Sequence, residues 1–131
     1  MVSEKILPQL TPAELEVMKI LWASEGLSAR EVHERLSERL EWAYSTTRTT
    51  VERMVRKGLV NKKPFHGLHI YSASVSRATG IARMVHDFAT RVLETSHVPV
   101  VSLFADSGKL SDEEINELRK LLDDEERGAG K

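Results

Sequence analysis

The chain has 131 residues, 40% of them apolar, no cysteine and a formal net charge of −1, which fits one ordinary domain or a small domain with an oligomerisation segment. Disulfides, thiolate metal sites and cysteine nucleophiles are excluded. No apolar run is long enough for a bilayer and no basic-then-apolar N-terminal signal is present, so the expectation is a cytoplasmic protein without membrane insertion.

In chain order, Thr11-Pro12-Ala13-Glu14 opens a helix: Thr11 caps, Pro12 suits the first helical position and Glu14 completes a capping box. Leu15, Met18, Leu21 and Trp22 follow at helical spacing, with Gly26 as the stop. Ser28-Ala29-Arg30-Glu31 is a second capping box, with Val32, Leu36 and Leu40 on the inward side. A third helix is expected from about Tyr44 to Lys57, with Thr47, Val51, Met54 and Val55 inside and Gly58 closing it. Leu59 to Phe65, then His66-Gly67, then Leu68 to Tyr71 reads as a β-hairpin with Gly67 near its tip, and Pro64 restricts its strand to a sheet edge.

The C-terminal part has a different composition. A long amphipathic helix is expected from Ser76 or Arg77 to about Ser96, broken by His97-Val98-Pro99. A short apolar segment follows with Val100, Val101, Leu103 and Phe104. Ser111-Asp112-Glu113-Glu114 caps a last helix carrying Leu110, Ile115, Leu118, Leu121 and Leu122, and a charged tail from Asp123 is expected to fray. The expected fold is mostly α with a small β-hairpin: a winged helix-turn-helix in residues 1–75 and a helical dimerisation region in residues 76–131.

The third helix carries the functional signal. Ser45, Thr46, Arg48 and Thr49 would sit exposed in its first turns; hydroxyls reach phosphates or base edges without bulk, and Arg donates in pairs to guanine. Arg53 is placed for phosphate, and Tyr44 begins the same helix. Residues 42–71 hold six basic groups against Glu52 alone, and DNA affinity follows such local potential rather than the net sum. Arg30, with the amides of Ser28 and Ala29, is a candidate phosphate site at a helix N-terminus. Lys62, Lys63, His66 and Gly67 are candidates for wing contact. Taken alone, the same helix face also reads as a solvated surface. The five histidines include no i,i+4 pair, so no metal centre and no cofactor is expected, and no catalytic constellation is present.

Three short helices in about fifty residues make a poor independent core, which points to a second copy of the chain. Met84, Val85, Phe88 and Val92 are the candidate seam, joined by Val100, Val101, Leu103, Phe104, Leu118, Leu121 and Leu122.

The chain resembles the penicillinase repressor family (BlaI/MecI type, with CopY repressors as cousins). The resemblance is carried by Leu10-Thr11-Pro12-Ala13-Glu14-Leu15-Glu16-Val17-Met18 with Leu21-Trp22, by Val32-His33-Glu34, by Trp42-Ala43-Tyr44-Ser45-Thr46 leading to Arg53 and Lys57-Gly58-Leu59-Val60, and by Leu110-Ser111-Asp112-Glu113-Glu114-Ile115-Asn116-Glu117-Leu118. It implies a homodimeric repressor with a winged helix and a C-terminal dimerisation region, bound to double-stranded operator DNA of dyad symmetry and regulating β-lactamase or related genes. The family's recognition contacts map onto Ser45, Thr46, Thr49 and Arg53. The resemblance also implies a membrane-bound sensor protease as partner and cleavage of the repressor between Asn and Phe. Leu103-Phe104 stands at that position here, with Leu in place of Asn. The cysteine metal hook of the CopY branch has no counterpart. Two alternatives stay open: a winged-helix regulator answering to a small ligand or metal, and a winged helix used for protein interaction.

Overall fold

The structure is a computed structural model and describes residues 9–129. These fall into two compact units, Leu10–Ser76 and the residues from Arg77 onward.

The first unit holds α1 (Pro12–Trp22), α2 (Ala29–Leu36), α3 (Tyr44–Arg56), β1 (Val60–Phe65) and β2 (Leu68–Ala73). Both capping boxes expected in this unit form. Glu14 N donates to Thr11 Oγ1 at 3.1 Å while Thr11 N donates to Glu14 Oε1 at 3.0 Å, and Ser28 and Glu31 repeat the exchange on α2. The inward stripe of α1 is Glu14, Val17, Met18 and Leu21; Leu15, expected inside, is half-buried. With Val32, Leu36, Val51, Met54, Leu59 and Tyr71 these apolar residues form one continuous core. Each fully buried aliphatic side chain contributes about 1.5–3 kcal/mol over its exposed state.

β1 and β2 pair antiparallel from Val60↔Ala73 to Phe65↔Leu68. Their two-residue turn places His66 at φ 49° and Gly67 at φ 81°, the doubly left-handed backbone that matches the twist of a tight hairpin. Leu27 adds a bridge to the open side of β2, exchanging backbone hydrogen bonds with Tyr71 at 2.9 and 2.7 Å. This crossing explains Gly26. A Cβ there would meet Ile70 Cγ2 at 2.7 Å, and its φ of +154° disfavours any side chain.

The second unit holds α4 (Arg77–Asp87), a π-helical turn (Phe88–Val92), α5 (Val98–Ser107) and α6 (Asp112–Ala129). Here the structure departs from the sequence reading in three places. The long helix does not run to Ser96: it loosens into the π turn, where Leu93 N donates to Phe88 O at 3.1 Å, and ends before Glu94, which takes φ 56°. Thr90 Oγ1 also donates to His86 O at 2.7 Å, a side-chain bond to the preceding turn that weakens regular helix. Second, Val98-Pro99 does not break a helix but starts α5, because Pro in a first turn has no N–H to lose. The segment with Val100 and Leu103 is helical, one of the three short helices expected in this part of the chain. Third, α6 continues through the acidic stretch expected to fray, with Arg127 paired to Asp124 one turn back; Gly130 and Lys131 lie outside the described residues.

The core of this unit is Ala82, Val85, Ala89, Val100, Val101, Ile115, Leu118 and Leu122. α4 and α5 both pack against α6, and the buried face of α4 carries the small residues Ala78, Gly80 and Ala82.

Candidate nucleic-acid interface

Thr47, Thr50, Val51 and Met54 are buried on one side of α3. That leaves Ser45, Thr46, Arg48, Thr49, Arg53 and Arg56 exposed. Thr50, given no role in the sequence reading, is inside, and Val55, expected inside, is half-buried. The N-cap is Ala43 and no side chain caps the helix. Thr46 N donates to Ala43 O at 3.0 Å, and the first-turn amides have no side-chain acceptor; they lie at the positive end of the helix dipole, a setting that suits an anion such as phosphate.

The start of α3 is fixed by α2. His33 Nδ1 lies 2.8 Å from the hydroxyl of buried Thr47. The His33 ring meets Tyr44 edge-on at 5.5 Å, and the Arg30 guanidinium stacks 4.0 Å over the Tyr44 ring. Arg30 is thus held beside the first turn of α3, a cation–π arrangement that leaves its donors outward. The Ser28 amide is engaged by Glu31 at 2.9 Å and Ala29 is buried, so of the phosphate site expected at α2 Arg30 is the exposed member.

The far end of α3 is pinned by Glu14, which is 1% exposed. Lys57 Nζ sits 2.8 and 2.9 Å from its two oxygens, and Arg53 Nε lies 3.9 Å away. Burial pushes the Glu14 carboxyl up, but the Lys57 hydrogen bond, the Thr11 amide and the Lys57 and Arg53 charges outweigh it and hold the group below its ordinary value. Arg53, expected to serve phosphate, is half-exposed and also leans on this acid.

The wing is tied to the same helix. Glu52 accepts from the Tyr71 hydroxyl at 2.5 Å and pairs with Lys62 at 2.9 Å. The Tyr71 hydrogen bond, then Lys62, holds the Glu52 carboxyl below its ordinary value against a smaller effect of burial. Burial and Glu52 push the Tyr71 phenol up to about 12. Lys62, a wing-contact candidate, is therefore placed as a strut between β1 and α3, while Lys63, His66 and Gly67 are exposed. The sequence signal for this strut was Glu52 as the lone acid in a basic stretch; nothing comparable marked Glu14 as buried. Arg30, Tyr44 and Arg48 on the helical side and Phe65, Gly67 and Leu68 on the hairpin side line one open groove of about 760 Å³.

The candidate seam residues divide. Val85, Val100, Val101, Leu118 and Leu122 are buried in their own unit. Phe88 (47% exposed), Val92 (63%) and Leu103 (69%) face outward, and Met84, Phe104 and Leu121 are half-buried. Met84, Phe88, Leu103 and Phe104, with Ile81, Leu93, Pro99 and Leu110, line an apolar groove of about 710 Å³. Among the described residues, the one grouping with metal-ligand chemistry is His97, Asp123 and Glu126. Asp123 lies 3.2 Å from Nε2 and Glu126 2.9 Å from Nδ1 of the buried ring, which ties the start of α5 to α6.

A three-helix core, a hairpin strapped to the third helix, and an exposed face of hydroxyls and arginines define a winged helix-turn-helix of the DNA-binding kind. The chain belongs to the penicillinase repressor family, whose profile matches residues 10–124. It is 32% identical over 120 residues to the penicillinase repressor of Bacillus licheniformis, covering 92% of this chain and 94% of that one. The methicillin resistance regulatory protein MecI of Staphylococcus aureus is 28% identical over 114 residues, covering 87% and 93%. Two solved structures are similar at 30% identity and a TM-score of 0.51, covering 56% of this chain and 90% of theirs: the DNA-binding domain of the repressor BlaI, and the monomeric form of Bacillus licheniformis BlaI in complex with the blaP half-operator.

Proposed function

We propose that this chain is a homodimeric, sequence-specific transcriptional repressor working in the cytoplasm on double-stranded operator DNA of dyad symmetry. The observation that carries this is the exposed Ser45, Thr46, Arg48 and Thr49 face at the uncapped start of α3, with a wing strapped beside it. In this reading α3 enters the major groove. Ser45, Thr46, Arg48 and Thr49 reach base edges or line the groove, Arg53 and Arg30 meet phosphates, and Lys63, His66 and Gly67 of the wing lie against the adjoining backbone. Residues 1–75 act as the DNA-binding domain and residues 76–131 as the dimerisation domain, joined through the apolar groove around Phe88 and Leu103. Occupancy of the operator excludes polymerase from β-lactamase or related genes.

Release requires loss of the dimer or of operator affinity. Leu103-Phe104 lies within α5, so cleavage there by a membrane sensor protease needs that helix to unwind, and Leu in the place of Asn makes another inducing signal an equal candidate. The test of the DNA assignment is footprinting on the chain's own upstream region. The double variant Thr46→Ala, Arg48→Ala should lose selectivity for the protected site by about 1–3 kcal/mol per lost base contact while its dimer persists. An unchanged footprint rules out α3 as the reading element.

A further inference from the structure

Phe65 and Leu68 are large, apolar and more than half exposed, at 58% and 59%. They are direct partners across the hairpin, flanking the His66-Gly67 turn. Two adjacent exposed apolar side chains at a strand tip form a small apolar patch available for contact. Strand alternation puts Phe65 on the face of Lys63 and opposite that of Lys62, so the two apolar side chains are not part of the strut to Glu52. The Phe65 ring is instead buttressed by His66, centroids 4.3 Å apart and nearly perpendicular. The positive-φ turn fixes this tip in shape.

The groove described above has two unlike walls. Arg30, Arg48 and the open start of α3 make a cationic wall, and Phe65 and Leu68 make an apolar lip on the other side. One strand of a duplex satisfies both walls: its phosphates face Arg30 while α3, with Arg48, occupies the major groove, and the lip then falls at the sugar edge of the neighbouring minor groove. We propose that Phe65 and Leu68 form an apolar wedge that packs on deoxyribose and the base-step edge in the minor groove beside each half-site, a contact distinct from the polar wing contacts. Apolar side chains that enter the minor groove favour steps that unstack and widen readily, so the wedge gives the chain a preference at base pairs that α3 does not touch. The inference rests on the DNA reading given above.

The experiment is paired footprinting of the full-length chain on a duplex carrying its own upstream region. Hydroxyl radicals report sugars from the minor groove, and dimethyl sulfate reports guanine N7 in the major groove. Phe65→Ser with Leu68→Ser should abolish sugar protection at the flanks of each half-site and weaken binding about tenfold, with guanine N7 protection intact. Phe65→Leu, which keeps an apolar tip, should retain the flanking protection. The wedge is overturned if the double serine variant keeps that protection with affinity within about twofold of wild type, well short of the tenfold loss expected for removing the apolar contact. A wild-type chain that protects no guanine N7 at any concentration overturns the DNA reading itself, and the wedge with it.

Discussion

The two units each partner a buried polar group internally, Glu14 in one and His97 in the other, but differ in how much apolar surface they leave exposed. In the winged unit the charged residues near the core are partnered within the unit: Glu14 by Lys57 and Arg53, and Glu52 by Tyr71 and Lys62. Its exposed apolar residues are concentrated at the wing tip, at Phe65 and Leu68. The C-terminal unit builds its core partly from alanines and leaves Phe88, Val92, Leu93, Val98 and Leu103 in solvent. A unit closed by internal ion pairs is suited to hold a reading surface rigid. A unit with an open apolar groove is suited to a partner copy, whose arrival removes that surface from water.

If the contrast is right, the largest effect comes from the open unit. Phe88→Asp should convert the proposed dimer to monomer, raising the self-dissociation constant at least about 100-fold, as read by sedimentation equilibrium. The winged unit should melt unchanged, and a dimer of unaltered strength would show that the groove is not the seam. The next largest comes from the closed unit. Lys57→Met leaves Glu14 buried with only the more distant Arg53, and should destabilise the winged unit by about 2–3 kcal/mol in denaturant titration. Adding Glu14→Leu should recover much of that loss. No recovery would mean the carboxylate stabilises by its capping bond rather than through the pair.

A smaller effect depends on pH. The folded Tyr71 phenol is raised to about 12 from an ordinary value of about 10. Its contribution is therefore complete below the unfolded value and lost as pH rises through the folded one. Stability should fall between about pH 10 and 12 by about 2–3 kcal/mol, and Tyr71→Phe should flatten that limb. Glu14 and Glu52 act with the opposite sign: both are held low in the fold, so their contribution is present above the ordinary carboxylate value and lost as acid reaches the folded one. An alkaline limb unchanged in Tyr71→Phe would remove the strut from the account.

Local chemistry made most of the fold legible. Capping boxes at Thr11 and Ser28, the apolar stripe of α3 and the His66-Gly67 turn each depend on residues a few positions apart, and sequence displays those directly. The exposed face of α3 followed from the same periodicity. What was hidden depends on long-range packing. Glu14 reads as a capping acid, and only the approach of Lys57, 43 positions away, makes it a buried pair. Lys62 reads as a free cation until Glu52 is brought beneath it. The C-terminal helix ends were misplaced because Val98-Pro99 is compatible with either the end of one helix or the first turn of the next. The candidate seam residues include both core and surface positions because an apolar residue on an amphipathic helix carries no mark of which neighbour covers it.

The central claim is that the α3 face is a DNA-binding surface, and the most direct measurement is binding to a duplex of the chain's own upstream region across salt. Several phosphate contacts should make affinity fall about 10³-fold or more between 50 and 200 mM salt, with a linear dependence of log K on log salt. Binding that does not change over that range, or no retention of the duplex at the lowest salt, would contradict it.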